Sequence, residues 1–214
     1  MTAARLTLAL TLALTVVFAG TVPAFSPAKV AKDAADAAAQ YRSLVAKPTS
    51  QRNAAEEFLL GIAHYEGVAD LGVKPDPVRA RDRFLSSFEK GYALAAVHVL
   101  MADVRADKPT MFMEDAERFM REKMPREAKF ATIRYIANQM ISAGNMKLAE
   151  PYLKMLADYY NDPGAAVSLA TIYRDGIDGA RMDARLADYY LNKGCADPAA
   201  NQSTRIFCEQ FRKK

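Results

Sequence analysis

A chain of 214 residues that is 51% hydrophobic and 25% charged has a globular composition, with enough length for one sizeable core or a short solenoid. Its net charge of +4, from 29 basic and 25 acidic residues, is too mild an imbalance to drive nucleic-acid binding. Alanine is abundant and β-branched residues rarely cluster, which favours helix over strand.

The N-terminus reads as a signal peptide over residues 1–24. Arg5 supplies a short positive region, Leu6 to Ala19 an apolar run, and Val22-Pro23-Ala24 small residues where a signal peptidase cuts. The run is shorter than the ~20 residues of a membrane span, so cleavage after Ala24 is expected. No cysteine follows it to carry a lipid, and no later stretch reaches spanning length. The expected product is periplasmic and soluble, with no membrane span after cleavage and no nucleic-acid partner.

Residues 25–50 are expected to hold a linker, up to Val30, and an N-terminal helix from Lys32 to Ala46. In that helix Ala34, Ala38, Tyr41 and Val45 share a face. Pro48 breaks the pattern. Helices then follow at about 52–66, 77–90, 92–105, 113–123, 126–143, 146–160, 164–175, 182–194 and 201–211. Asp76 before Pro77 and Asp162 before Pro163 are start signals. Gly67, Gly91, Gly144 and Gly176 are stop signals. No strand pattern of useful length occurs.

Helix pairs with short turns prompt a search for a repeat. Leu60-Gly61-Ile62-Ala63-His64-Tyr65-Glu66-Gly67 aligns with Leu169-Ala170-Thr171-Ile172-Tyr173-Arg174-Asp175-Gly176. The two segments are separated by about three periods of roughly 36 residues. Small residues at 61, 80, 149, 170 and 187 let helices approach closely, and Phe84, Tyr152, Tyr173 and Tyr190 fill the adjoining grooves. One pair cannot bury its apolar face alone, whereas stacked pairs can. The expected fold is all-α: an α–α superhelix (solenoid) of stacked antiparallel helix pairs. The repeats occupy residues 51–200, and a C-terminal capping helix with a basic tail occupies 201–214.

The first and last units resemble the Sel-one-like repeat family of the tetratricopeptide-like superfamily. The matching residues are Leu60, Gly61, Gly67, Gly72, Val73, Asp76, Ala80, Phe84, Gly91 and Ala95, then Leu169, Tyr173, Gly176, Gly179, Asp183, Ala187 and Tyr190. His64 stands in a usual tyrosine slot, Arg79 in a lysine slot and Ala170 in a glycine slot. The middle two units are degenerate. The resemblance implies a binding surface, since exported members serve as scaffolds in envelope assemblies, polysaccharide export or flagellar motors. Cysteine-rich relatives, which tie one helix pair to the next helix by a disulfide, are associated with β-lactam hydrolysis or cell-wall recognition. Lys193-Gly194-Cys195 sits where that branch carries its cysteine.

No catalytic, metal or cofactor site emerges from the residues. His64 and His98, the two histidines, lack companion ligands at metal spacing and read as packed side chains. Ser26-Pro27-Ala28-Lys29 has the serine–lysine spacing of penicillin-recognising enzymes but no companion motif. Asp175, Asp178 and Asp183 do not fit a calcium loop. Cys195 and Cys208 are the only cysteines, and an even count in an exported chain suggests a structural disulfide. A redox pair would have closer spacing. Met111, Met113, Met120 and Met124 read as core filler, with an adaptable partner-binding patch as the alternative. The run Arg79-Ala80-Arg81-Asp82-Arg83 reads as solvated surface.

The sequence thus points to a periplasmic scaffold or adaptor, not an enzyme, that binds a protein or peptide partner of the cell envelope on its concave face. Candidate contacts are Glu57, His64, Tyr65, His98, Arg134, Asn138 and Arg174, polar or amphipathic positions on first helices of pairs. The alternative is a cell-wall-fragment or β-lactam binding or hydrolysing enzyme.

Overall fold

The structure, a computed structural model, describes residues 27–177, 182–198 and 200–211. The signal peptide, Ser26, Asp178, Gly179 and the basic tail lie outside them. The described residues fold as ten α-helices without a strand: α1 Pro27–Ala46, α2 Ala54–Glu66, α3 Pro77–Glu89, α4 Ala95–Arg105, α5 Pro109–Arg121, α6 Arg126–Ser142, α7 Met146–Lys154, α8 Pro163–Asp175, α9 Ala184–Ala196 and α10 Gln202–Phe211. None of them is long and apolar enough to cross a membrane.

The expected helices are all present, and the differences lie at their ends. α1 begins at Pro27, inside the segment read as linker, with proline in the first turn where its missing donor costs nothing. α5 starts at Pro109 for the same reason, the Phe112 amide donating to the Lys108 carbonyl at 3.0 Å. It ends at Arg121, short of the 123 expected, so Met124 lies beyond it. α7 gives way at Met155 to a single π-helical turn, Met155–Tyr159.

The chain divides between Phe119 and Met120 into two compact units. In the first, α2 packs on α3 and α3 on α4. Ala80, Phe84, Ala95, Ala96, Val99 and Leu100 are fully buried. A β-carbon added at Gly61 would sit 2.4 Å from the Phe84 ring, so only glycine admits that aromatic. Beneath these apolar contacts lies charge. Glu57 is wholly buried, with Arg83 and Lys90 each at 3.2 Å and Arg52 at 3.9 Å. Arg81 bridges Asp103 at 2.8 Å and Asp115 at 2.5 Å. The run 79–83 is therefore solvated only in part, with Arg79 and Asp82 exposed and Arg81 and Arg83 half-buried. Arg81 and Arg83 reach inward because buried carboxylates on neighbouring helices await them, which charge alternation along one helix does not reveal.

In the second unit α6 packs on α7, α7 on α8, and α8 on α9. Ala149, Ala170 and Ala187 are buried at these crossings. Tyr173 and Tyr190 stack at 5.9 Å. Each hydroxyl donates to a carboxylate, Tyr173 to Glu150 at 2.7 Å and Tyr190 to Asp158 at 2.9 Å. Cys195 in α9 and Cys208 in α10 form a disulfide, with α-carbons 5.7 Å apart.

The two aligned segments share local geometry. The Gly67 amide donates to the Ala63 carbonyl at 2.9 Å, and the Gly176 amide to the Ile172 carbonyl at 2.9 Å. The Asp76 amide returns to the His64 carbonyl at 2.7 Å, and the Asp183 amide to the Tyr173 carbonyl at 2.9 Å. Each aspartate then caps the following helix through its carboxylate. The histidine in a tyrosine slot costs this turn nothing, because the backbone carbonyl makes the bond.

Candidate functional site

Among the described residues, each unit has a concavity lined by polar and aromatic side chains. In the second unit the π-turn is closed by the Tyr160 amide reaching the Met155 carbonyl at 3.4 Å. Such a turn holds one residue more than an α-helical turn and shifts the side chains that follow. Asn161 then takes a left-handed φ of 55°, and Asp162 caps α8 on the Ala165 amide at 2.9 Å. The shift leaves Tyr159 two-thirds exposed, with Tyr160 packed edge-on beside it at 4.9 Å.

Arg126, at the start of α6, lies over both rings, 5.4 Å from Tyr159 and 5.3 Å from Tyr160, and donates to the Tyr159 carbonyl at 3.3 Å. Phe130, one turn on, meets Tyr160 at 5.3 Å. Met124 and Met155 complete the apolar lining of a groove of about 440 Å³. Its charged lining is Lys123, Arg126 and Lys129 against Glu122. Lys129 donates to the carbonyls of Met120 at 2.6 Å and Glu122 at 3.0 Å. Burial lowers the pKa of this ammonium, and Glu122 partly restores it. Burial also raises the Tyr160 hydroxyl, with Tyr159 adding to the effect and Arg126 opposing it.

The sequence-derived contacts divide between the units. Arg134 lies over Phe130 at 5.4 Å, next to the groove, and Asn138 is exposed further along α6. Arg174 covers the Phe211 ring at 4.0 Å and forms a bidentate pair with Asp175 at 2.6 and 2.8 Å. Tyr65 is half-buried under Arg105, 4.4 Å from its ring. His98 is half-buried against Phe58 at 4.7 Å and Phe84 at 5.2 Å, its Nδ1 3.3 Å from the Leu94 carbonyl. Burial lowers its pKa, which the Leu94 contact partly offsets. Glu57, expected as a surface contact, is instead enclosed by its three cations. A polar residue on the inner face of α2 is tolerated because Arg52, Arg83 and Lys90 converge from outside that helix.

His64 borders the second concavity, a cleft of about 280 Å³ in the first unit. Tyr41 and Val45 of α1 and Leu60 of α2 form its apolar wall, and Arg52, Arg79, Asp82 and Arg83 its polar one. The His64 ring packs edge-on against Tyr41 at 6.2 Å. Burial lowers its pKa first, Arg83 and Arg79 lower it further, and Asp76 raises it.

Sequence reading missed Tyr159, Tyr160 and Arg126. One signal for them exists, since adjacent aromatics on a helix point about 100° apart, so a Tyr-Tyr pair cannot face one core with both rings. The π-turn that enlarges the effect has no such signature. Among the described residues no group of three His, Cys, Asp or Glu side chains is placed to hold a metal ion. No protein-family model matches the chain, and no curated protein or solved structure matches it significantly.

Proposed function

We propose that this chain is an exported scaffold of the Sel-one-like kind, its helix pairs stacked as an α–α superhelix, which holds a protein partner of the cell envelope. The observation that carries the reading is the groove around Tyr159. Exposed tyrosine, arginine and methionine are the side chains enriched where proteins bind one another. Here they surround an open depression and not an enclosed reaction chamber. Three cations against one carboxylate in the lining suit an extended partner segment carrying acidic and apolar residues. The paired helix-turn-helix geometry of the first and last units supports the repeat assignment, and the disulfide supports an oxidising compartment.

The test places a photocrosslinking amino acid at Tyr159 and, as a control, at Val78, which is also exposed. Crosslinking is done in intact cells. The expected result is one envelope protein captured from position 159 and absent from 78, with its crosslinked peptide acidic. Equal capture from both positions, or capture only of the chain itself, would overturn the reading. A reporter that becomes active only after export, fused after α1, tests the location separately.

A further inference from the structure

Among the described residues, the lining of the first unit's cleft carries more cations than carboxylates. Glu57 carries one negative charge and faces Arg52, Arg83 and Lys90. Lys90 also donates to the carbonyls of Arg52 at 2.7 Å and Thr49 at 3.1 Å, and Arg52 to those of Leu44 at 2.9 Å and Val45 at 3.1 Å. Arg83 makes one hydrogen bond, Nη1 to Glu57 at 3.2 Å, and about a third of its side chain is exposed. Its remaining donors have no protein acceptor among the described residues. Arg79 adds a second exposed guanidinium at the rim, paired with Asp76. Among the described residues the lining also holds one carboxylate, Asp82.

We infer that this cleft binds a small organic anion, its carboxylate or phosphate group held by Arg83 and Arg79 and its apolar body laid against Tyr41, Val45 and Leu60. Three features fit this ligand class. A planar guanidinium with free parallel donors matches an oxyanion bidentately. Arg52 is itself more than nine-tenths buried and fixed by backbone carbonyls, so the positive floor is preorganised. The volume of about 280 Å³ lies at the small end of ligand sites, which begin near ~300 Å³, and excludes a folded partner. This site is independent of the partner groove and does not rest on the scaffold reading.

The chain's two histidines give the test a direct readout, since the ring signals of His64 and His98 are resolvable by NMR. The full chain is titrated with 4-phenylbutyrate, with its uncharged amide, and with acetate. The expected result is a saturable His64 shift with phenylbutyrate, its apparent pKa moving upward as the anion offsets the nearby arginines, while His98 stays still. Affinity for the amide and for acetate should be at least tenfold weaker. Arg79→Gln, at a largely exposed position that leaves the Glu57 cluster intact, should weaken phenylbutyrate binding severalfold. Arg83→Gln should weaken it further if it folds. No saturable shift, equal affinity for acid and amide, or no effect of Arg79→Gln would overturn the assignment.

Discussion

At the scale of single residues, Asp103 most clearly departs from ordinary behaviour. Its side chain has no exposure, and its Oδ2 has no hydrogen-bond partner among the described residues. Burial drives its pKa up to about 7. Arg81 opposes this rise, and the Asp115 carboxylate adds to it. The folded state therefore holds a proton that the unfolded chain releases near pH 4, so stability falls as pH rises through that interval. Between pH 7.5 and 5.5 this one group should therefore add stability on acidification. His64 and His98 have lowered pKa values and act in the opposite sense below their unfolded value of about 6.5. The comparison must therefore be made between proteins. Asp103→Asn, measured by urea unfolding at both pH values, should lose most of the acid-side gain that the parent shows. An unchanged pH slope would mean that Arg81 keeps Asp103 ionised. Gly61 gives a prediction of another kind. Gly61→Ala pushes a β-carbon to within 2.4 Å of a ring that is itself fully buried, and overpacking of this sort costs about 1–3 kcal/mol. A shift of the denaturant midpoint without a change in slope would report it.

At the scale of elements, the sequence announced helices well because their ends carry local chemistry. Asp76, Asp162 and Asp183 cap the helices they precede, and Gly67 and Gly176 end theirs with positive φ. Where the reading failed, the cause was interaction between elements. Glu57 and Arg81 belong inside because of carboxylates and cations on other helices, and no pattern within α2 or α3 encodes that. The π-turn after α7 arises where the helix must reach Asp162 and Pro163, the Asp162 amide bonding back to Leu156 at 2.9 Å. The disulfide was legible from an even cysteine count together with the expected export signal, and its energetic consequence is local. α10 packs on α8 and α9, yet among its residues of described exposure only Thr204 and Cys208 are buried. The bond closes a short loop and should contribute about 3 kcal/mol through the unfolded chain. Reduction, or Cys208→Ser, should therefore release α10 first. Hydrogen exchange would show lost protection over 202–211 while α8 keeps its own. Uniform loss across the second unit would instead make α10 part of the core.

At the scale of the whole molecule, stability and binding should be separable, because they draw on different residues. The core uses small residues at helix crossings and buried ion pairs. The groove uses Tyr159, which the fold leaves mostly in solvent, and Arg126, an exposed residue that among the described residues bonds to a backbone carbonyl and to ring faces. Removing an exposed side chain away from such core features usually changes stability by less than about 0.5 kcal/mol. Removing an aromatic or arginine anchor from an interface commonly costs about 2 kcal/mol or more of binding. Tyr159→Ala with Arg126→Ala should thus leave the urea midpoint nearly unchanged while weakening the crosslinked partner at least tenfold by calorimetry. Added salt should weaken the parent complex more than the double variant, since the variant has lost one of the cations that an acidic segment would meet. The opposite pattern, a destabilised fold with partner affinity intact, would make the tyrosine pair a packing element of the second unit. The partner would then have to be sought on another face.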